Sequence, residues 1–127
     1  MPIRAGIDLV DIEDVRDAVA LWSGRYLDRV YTERELADCA GPHGVDPRRL
    51  AARFAAKEAA LKALQPGGDA VPWLSIEVRR DPSGTAVLEL RGPARDLADR
   101  TMVRDLTTSV GYARATAYAI VIAHVGS

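Results

Sequence analysis

The chain of 127 residues has the length of one ordinary domain, enough for a single core and too little for two. Hydrophobic residues make up 48% and charged residues 28%, which are the proportions of a folded globular protein and exclude disorder. Lys and Arg number 17 against 18 Asp and Glu, for a net charge of −1, and aromatics are 6%; that balance fits neither a strongly cationic nucleic-acid surface nor a stacking platform for single strands.

In chain order, Ile3 to Val10 predicts a strand in which Ile3, Ala5, Ile7 and Leu9 share one face and Gly6, Asp8 and Val10 the other. Asp11 is placed to cap a helix reaching about Trp22, with Asp14 in its first turn. A short helix is expected over Arg25 to Val30. Thr32 then caps another, with Glu35 at the capping-box position. Pro47 to Leu64 is the strongest helix, opened by proline, filled with alanine and stopped by Pro66-Gly67. Trp73 to Arg80 and Ala86 to Arg91 predict strands on either side of the Asp81-Pro82-Ser83-Gly84 turn. Pro93 opens a short helix to about Arg100, and strands over Leu106 to Tyr112 and Thr116 to Val125 close the chain. The fold class is α+β, one domain over 1–127.

No run approaches the roughly 18 apolar residues of a membrane span. The first residues lack the charged start and apolar stretch of a signal peptide, so the expected location is the cytoplasm, with no membrane and no nucleic-acid partner. The single cysteine, Cys39, excludes an intramolecular disulfide and a cysteine-built metal cage; it reads as a small buried hydrophobe.

The Pro47 to Leu64 helix carries the chemistry. At about 100° per residue, Leu50, Phe54, Leu61 and Leu64 form one stripe, and Ala52, Ala55, Ala56, Ala59 and Ala63 line the opposite side. Small residues where charges normally sit predict a helix covered on both sides. From Leu50 to Leu64 its charges are Arg53, Lys57, Glu58 and Lys62, with Glu58 and Lys62 at the spacing of an i,i+4 pair. Charges in a covered helix need an ion, a phosphate or each other. Asp8, on the minor face of the first strand, and Glu58 together offer two hard oxygen ligands of the kind that hold magnesium beside substrate phosphates. Lys57, Lys62 and Arg53 would neutralise those phosphates. The constellation suits chemistry on a pyrophosphate.

Three segments carry a resemblance: Gly6-Ile7-Asp8-Leu9-Val10-Asp11-Ile12, Tyr31-Thr32-Glu33-Arg34-Glu35-Leu36, and Arg53 through Leu64 with its Lys57-Glu58-Ala59 core. In order and spacing they resemble the holo-acyl-carrier-protein synthases, the small single-domain branch of the 4′-phosphopantetheinyl transferases. The resemblance is strongest from Met1 to Leu64. It implies a mainly antiparallel sheet packed against a long central helix. It also implies an enzyme that moves 4′-phosphopantetheine from coenzyme A to a serine of an apo acyl carrier protein, releasing adenosine 3′,5′-bisphosphate, in fatty-acid or polyketide biosynthesis. By position, Asp8 and Glu58 match the family's Mg2+ ligands. Lys62 matches the lysine along the phosphates, and Arg53 and Lys57 match further basic positions; Arg48 and Arg49 stand where they would meet the coenzyme A 3′-phosphate. The catalytic residues implied are Glu58 and Lys62, with two proton acceptors open: Glu58 through a water, or Lys62 with a depressed pKa. Relatives of this size form homotrimers with active sites between subunits.

Two departures stand out. Gly111-Tyr112 occupies the place of the family's Ser/Thr-His pair, leaving Tyr112 or Arg114 as the substitute for a histidine that contacts coenzyme A in the family. Neither His43, in a Gly/Pro loop, nor His124, at the end of the last strand, restores that pair. The first helix, which in the family is a basic dock for an acidic carrier, mixes Arg16 with Glu13, Asp14 and Asp17, and Asp28 lies between Arg25 and Arg29 beyond it. Weaker steering points to a specialised carrier. Trp22 is either core or an apolar anchor for that partner. The competing reading is a non-catalytic descendant that binds a carrier protein or a coenzyme A-like ligand.

Overall fold

The computed structural model describes residues 2–126. Strand β1 (Ile3–Asp11) leads into α1 (Ile12–Trp22), α2 (Gly24–Val30) and α3 (Glu33–Asp38). A two-residue hairpin, β2 (Ala40–Gly41) and β3 (Gly44–Val45), precedes α4 (Pro47–Leu64). A short 3-10 turn (Trp73–Ser75) then feeds β4 (Ile76–Arg80) and β5 (Ala86–Leu90), followed by α5 (Gly92–Arg100), β6 (Val103–Ala113) and β7 (Thr116–Val125). β1, β7 and β6 form an antiparallel sheet in that order, and β4 pairs with β5 as a separate antiparallel ribbon.

The helix caps agree with the sequence. Asp11 accepts a hydrogen bond from the Glu13 N–H and Asp46 from the Arg48 N–H. Thr32 and Glu35 close a complete capping box. The small β2–β3 hairpin is an addition to the predicted elements, too short to carry a periodic pattern. Trp73 to Ser75 also differs from expectation: it coils before the strand begins, leaving Leu74 partly exposed while Ile76 and Val78 are buried.

Helix α4 lies at the centre, against the β1–β7–β6 sheet on one side and α1, α3 and β4 on the others. Its alanines at 51, 52, 55, 56, 59, 60 and 63 are all buried, as a helix covered on both sides requires. The sheet approaches it closely because small residues face it: Ala117, Ala119 and Ala123 from β7, and Gly6 from β1. A Cβ on Gly6 would overlap the backbone carbonyl of Ala59. The face with the smaller residues is therefore the inner face of β1. Gly6 and Val10 are buried, while Ile7 and Leu9 are 62% and 68% exposed. The sheet therefore turns an apolar outer face to solvent, with Ile7 opposite Ile120 and Leu9 opposite Tyr118.

Candidate active site

The close fit of Gly6 on α4 sets the register of the rest of β1. Two residues on, and on the same face, Asp8 reaches the stretch of α4 that carries Glu58 and Lys62. Lys62 Nζ donates to Asp8 Oδ1 at 2.9 Å and to the Ile7 carbonyl at 3.0 Å. The expected Glu58–Lys62 pair does not form; Lys62 reaches across to β1 instead. Glu58 is partly buried and enters no ion pair among the described residues. Burial first, and the Asp8 carboxylate second, push the Glu58 pKa up, with Lys62 opposing in part. The hydrogen bond to Asp8 and the negative charge of Asp8 and Glu58 raise the Lys62 pKa. The contact with Asp8 thus favours the cationic form of Lys62.

Asp8 and Glu58 fit a hard divalent cation. Both are oxygen donors on rigid elements, and the Glu58 pKa is raised first by burial and then by the neighbouring Asp8 carboxylate, which a bound cation would relieve. No group of three or more His, Cys, Asp or Glu placed to hold a metal ion occurs among the described residues. An ion held by Asp8 and Glu58 would take further oxygens from substrate and water.

Lys57 stands apart from this cluster. Its side chain is 0% exposed, and its ammonium sits 2.7 Å from Glu35 Oε1. It also donates to the carbonyls of Trp73 at 3.0 Å and Ile76 at 2.8 Å. An ammonium has three N–H groups, and all are taken. The expectation that Lys57 neutralises substrate phosphates is corrected on this ground: it has no donor to offer. Burial pushes its pKa down while Glu35 opposes that shift. Glu35 is as fully engaged, accepting from Thr32 N–H, Lys57 and the Val78 N–H. Nearby Glu77, also buried, accepts from the Thr32 hydroxyl at 2.6 Å and from Arg91 at 2.9 Å. Sequence reading missed Glu35 and Glu77 as charge partners. The capping box placed Glu35 at a helix start, but nothing in the spacing shows that its carboxylate turns inward.

Arg53 is 4% exposed, its guanidinium 3.6 Å from Asp38, and its Nε has no hydrogen-bond partner. It lines a concavity of about 430 Å³ together with Arg49, Arg80, Asp38 and the Gly111-Tyr112 pair. Arg49 donates to the Asp38 carbonyl at 3.2 Å, and Arg48 lies over the Tyr112 ring at 5.4 Å. Tyr112, at the place of the family's histidine by the sequence reading, thus lines this basic concavity. Gly111 is small because the Tyr118 ring of the neighbouring strand crosses it: a Cβ would meet the Tyr118 oxygen at 2.5 Å. Arg114 lies outside this concavity's lining, in the β6–β7 turn with φ of 55°.

On the far side of Glu58, a shallow groove runs between α1 and α4, walled by Val10, Ala18, Tyr26 and Phe54. The Tyr31 hydroxyl donates to the Leu50 carbonyl, so Tyr26 donates its own proton to Tyr31 at 2.7 Å. Trp22 is 56% exposed, which resolves the sequence ambiguity against a core role. Cys39 is buried as expected, and burial pushes its thiol up to about 11.

A sequence model of the 4′-phosphopantetheinyl transferase superfamily matches residues 4–122. A holo-[acyl-carrier-protein] synthase of Syntrophus aciditrophicus is 38% identical over 118 residues, covering 92% of this chain and 91% of its own. One from Herpetosiphon aurantiacus is 37% identical over 124 residues, covering 92% of this chain and 94% of its own. Among solved structures, a Chronobacterium ammoniagenes ACPS–CoA complex superposes with a TM-score of 0.86 at 26% identity, covering both chains fully. The Helicobacter pylori holo-[acyl-carrier-protein] synthase in complex with coenzyme A gives 0.81 at 25% identity, covering 94% of this chain and 99% of that one. The fold and the site define a phosphopantetheinyl-transferase-type domain. The chain belongs to the 4′-phosphopantetheinyl transferase superfamily, in its holo-acyl-carrier-protein synthase branch.

Proposed function

We propose that this chain, as one domain over 1–127, transfers 4′-phosphopantetheine from coenzyme A to a serine hydroxyl of an apo acyl carrier protein. The observation that carries the reading is the Asp8–Glu58–Lys62 cluster, with a groove opening at Glu58 and a separate arginine-lined concavity nearer the start of α4. Coenzyme A has a pyrophosphate for the cluster and a 3′-phosphate for the concavity. Arg53, with its buried Nε unpaired, and Arg49 suit that phosphate. Asp8 and Glu58 would hold Mg2+, which when bound supplies charge neutralisation and orientation of the pyrophosphate.

In the reaction the carrier serine oxygen attacks the phosphorus that bears pantetheine. A new P–O bond forms to serine, and the bond from that phosphorus to the bridging oxygen of the diphosphate breaks. Glu58, with its raised pKa, accepts the serine proton through a water. Lys62 stays protonated and stabilises the charge growing on the departing adenosine 3′,5′-bisphosphate. Lys57 acts at one remove: its buried pair with Glu35 ties α4 to α3, and its carbonyl bonds tie α4 to the start of β4, so the turn that carries Glu58 is fixed.

The assembly we infer is a homotrimer. The outer face of the sheet, with Ile7, Leu9, Tyr118 and Ile120 exposed together, supports burial against further copies. No helix of the described residues is long and apolar enough to cross a membrane, and a cytoplasmic enzyme of fatty-acid or polyketide synthesis fits the reading.

Intact-mass analysis of apo acyl carrier proteins incubated with this protein, coenzyme A and Mg2+ tests the proposal. A gain the size of phosphopantetheine, with adenosine 3′,5′-bisphosphate released and both lost on chelation, is expected. Binding of a carrier without mass gain on any of them would favour the non-catalytic descendant.

A further inference from the structure

The groove beside Glu58 does not end at Tyr26. Three concavities share walls: Tyr26 joins the first to the second, and Arg25 and Arg29 join the second to a third. Together they form one track along α1 and α2. Its charge changes along its length. At the Glu58 end it is lined by Asp11 and Asp14. In the middle lie Ala18, Tyr26, Val30 and the exposed Trp22, with Arg25 and Arg29 already on its wall. At the far end Arg25 and Arg29 stand beside Asp28, over an apolar floor of Val71, Pro72 and Trp73.

Asp14, Asp17, Arg25 and Arg29 enter no ion pair among the described residues, so these charges are free to meet a partner. Within α1, Asp14 and Ala18 are one turn apart, and Trp22 comes a turn later, so the acid lies roughly 12 Å from the ring along the helix axis. An amphipathic helix laid in the track would meet these features in that order.

We infer that this track selects a carrier protein by charge order: the helix after its serine is basic in its first turn, apolar in the middle and acidic beyond. The inference rests on the transferase reading and specifies the partner for the same site. The aromatic middle provides contact area, while the acidic and basic ends set orientation and disfavour a helix that is acidic throughout. A uniformly acidic helix would set a carboxylate against Asp11 and Asp14 just where the serine must approach Glu58.

The test is a double-mutant cycle on kcat/KM. The probes are an apo acyl carrier protein whose serine-bearing helix is acidic throughout, and its variant with the acidic residue nearest the serine changed to lysine. Wild-type enzyme is expected to favour the lysine variant by about fivefold at low salt, the scale of one exposed pair turned from repulsive to attractive. Asp14→Lys is expected to invert that preference, and Asp14→Asn to abolish it. The preference should shrink above about 0.15 M salt, as exposed charges are screened. Arg25→Glu should raise KM for both carriers, because both keep their distal acids. An equal preference in wild type and Asp14→Lys, each melting as a folded protein, overturns the charge-order inference alone. No mass gain on either carrier with wild type overturns the transferase reading and this inference with it.

Discussion

Lys57 and Lys62 lie five residues apart on one helix, and their fates differ. Lys57 is sealed, its ammonium shared between Glu35 and two carbonyls. Lys62 is exposed, bonded to Asp8 and the Ile7 carbonyl in a cluster where Glu58 is still unpaired. Sequence spacing makes them equivalent cations beside a carboxylate. Geometry separates a charge that holds the fold from one that is available to a substrate. Saturation of donors, rather than charge or burial alone, draws that line.

The largest expected effects come from breaking the sealed end. Gly6→Ala forces a methyl into the Ala59 carbonyl, and nothing there can yield except backbone. A loss of about 3 kcal/mol or more is expected, read as a fall in the urea midpoint. Lys57→Met leaves Glu35 buried without its ion pair, at a cost of about 3–5 kcal/mol. Adding Glu35→Leu to Lys57→Met removes the uncompensated charge but orphans the Val78 N–H and the Thr32 cap, so thermal melts should show only a partial recovery.

At the open end the pattern inverts. Lys62→Gln should leave the melting temperature near that of wild type and lower kcat by about a hundredfold, measured by carrier mass gain. A smaller effect separates binding from chemistry. Arg53→Gln should raise the KM for coenzyme A about tenfold with little change in kcat, since its target is a phosphate remote from the reacting phosphorus.

A further effect is a pH dependence of stability. The Cys39 thiol is pushed up to about 11 when folded, above its ordinary value of 9.0. A raised thiol pKa stabilises the fold fully below pH 9, and that contribution is lost as pH rises toward 11. Relative to Cys39→Ala, wild type should therefore lose about 2–3 kcal/mol across that window, measured by urea unfolding at each pH. Equal slopes for the two proteins would contradict it.

Much of the fold was legible in sequence because it is local. Caps at Asp11 and Thr32, proline at the start of α4 and its alanine content all act within one or two turns. The covered helix was legible too, since small residues appeared where charges belong. Asp8 and Glu58 stood out in the sequence as candidates, but spacing did not show how the charges from Arg53 to Lys62 divide. Their partners, Asp38, Glu35 and Asp8, come from other elements, and spacing along one helix is silent about them. The outward turn of Ile7 and Leu9 was equally hidden. It arises from a close backbone approach at Gly6, where absence of a side chain outweighs the hydrophobic pattern.

The most direct test of the open cluster as the reactive centre is Glu58→Gln. The variant keeps the size and helix propensity of the residue and removes only its ability to accept a proton and bind a cation as an anion. Intact carrier mass and a thermal melt would be recorded on the same preparation, with coenzyme A and Mg2+ present. The account predicts a native melt with transfer reduced by about a hundredfold or more. Transfer at the wild-type rate by a folded Glu58→Gln protein would contradict it.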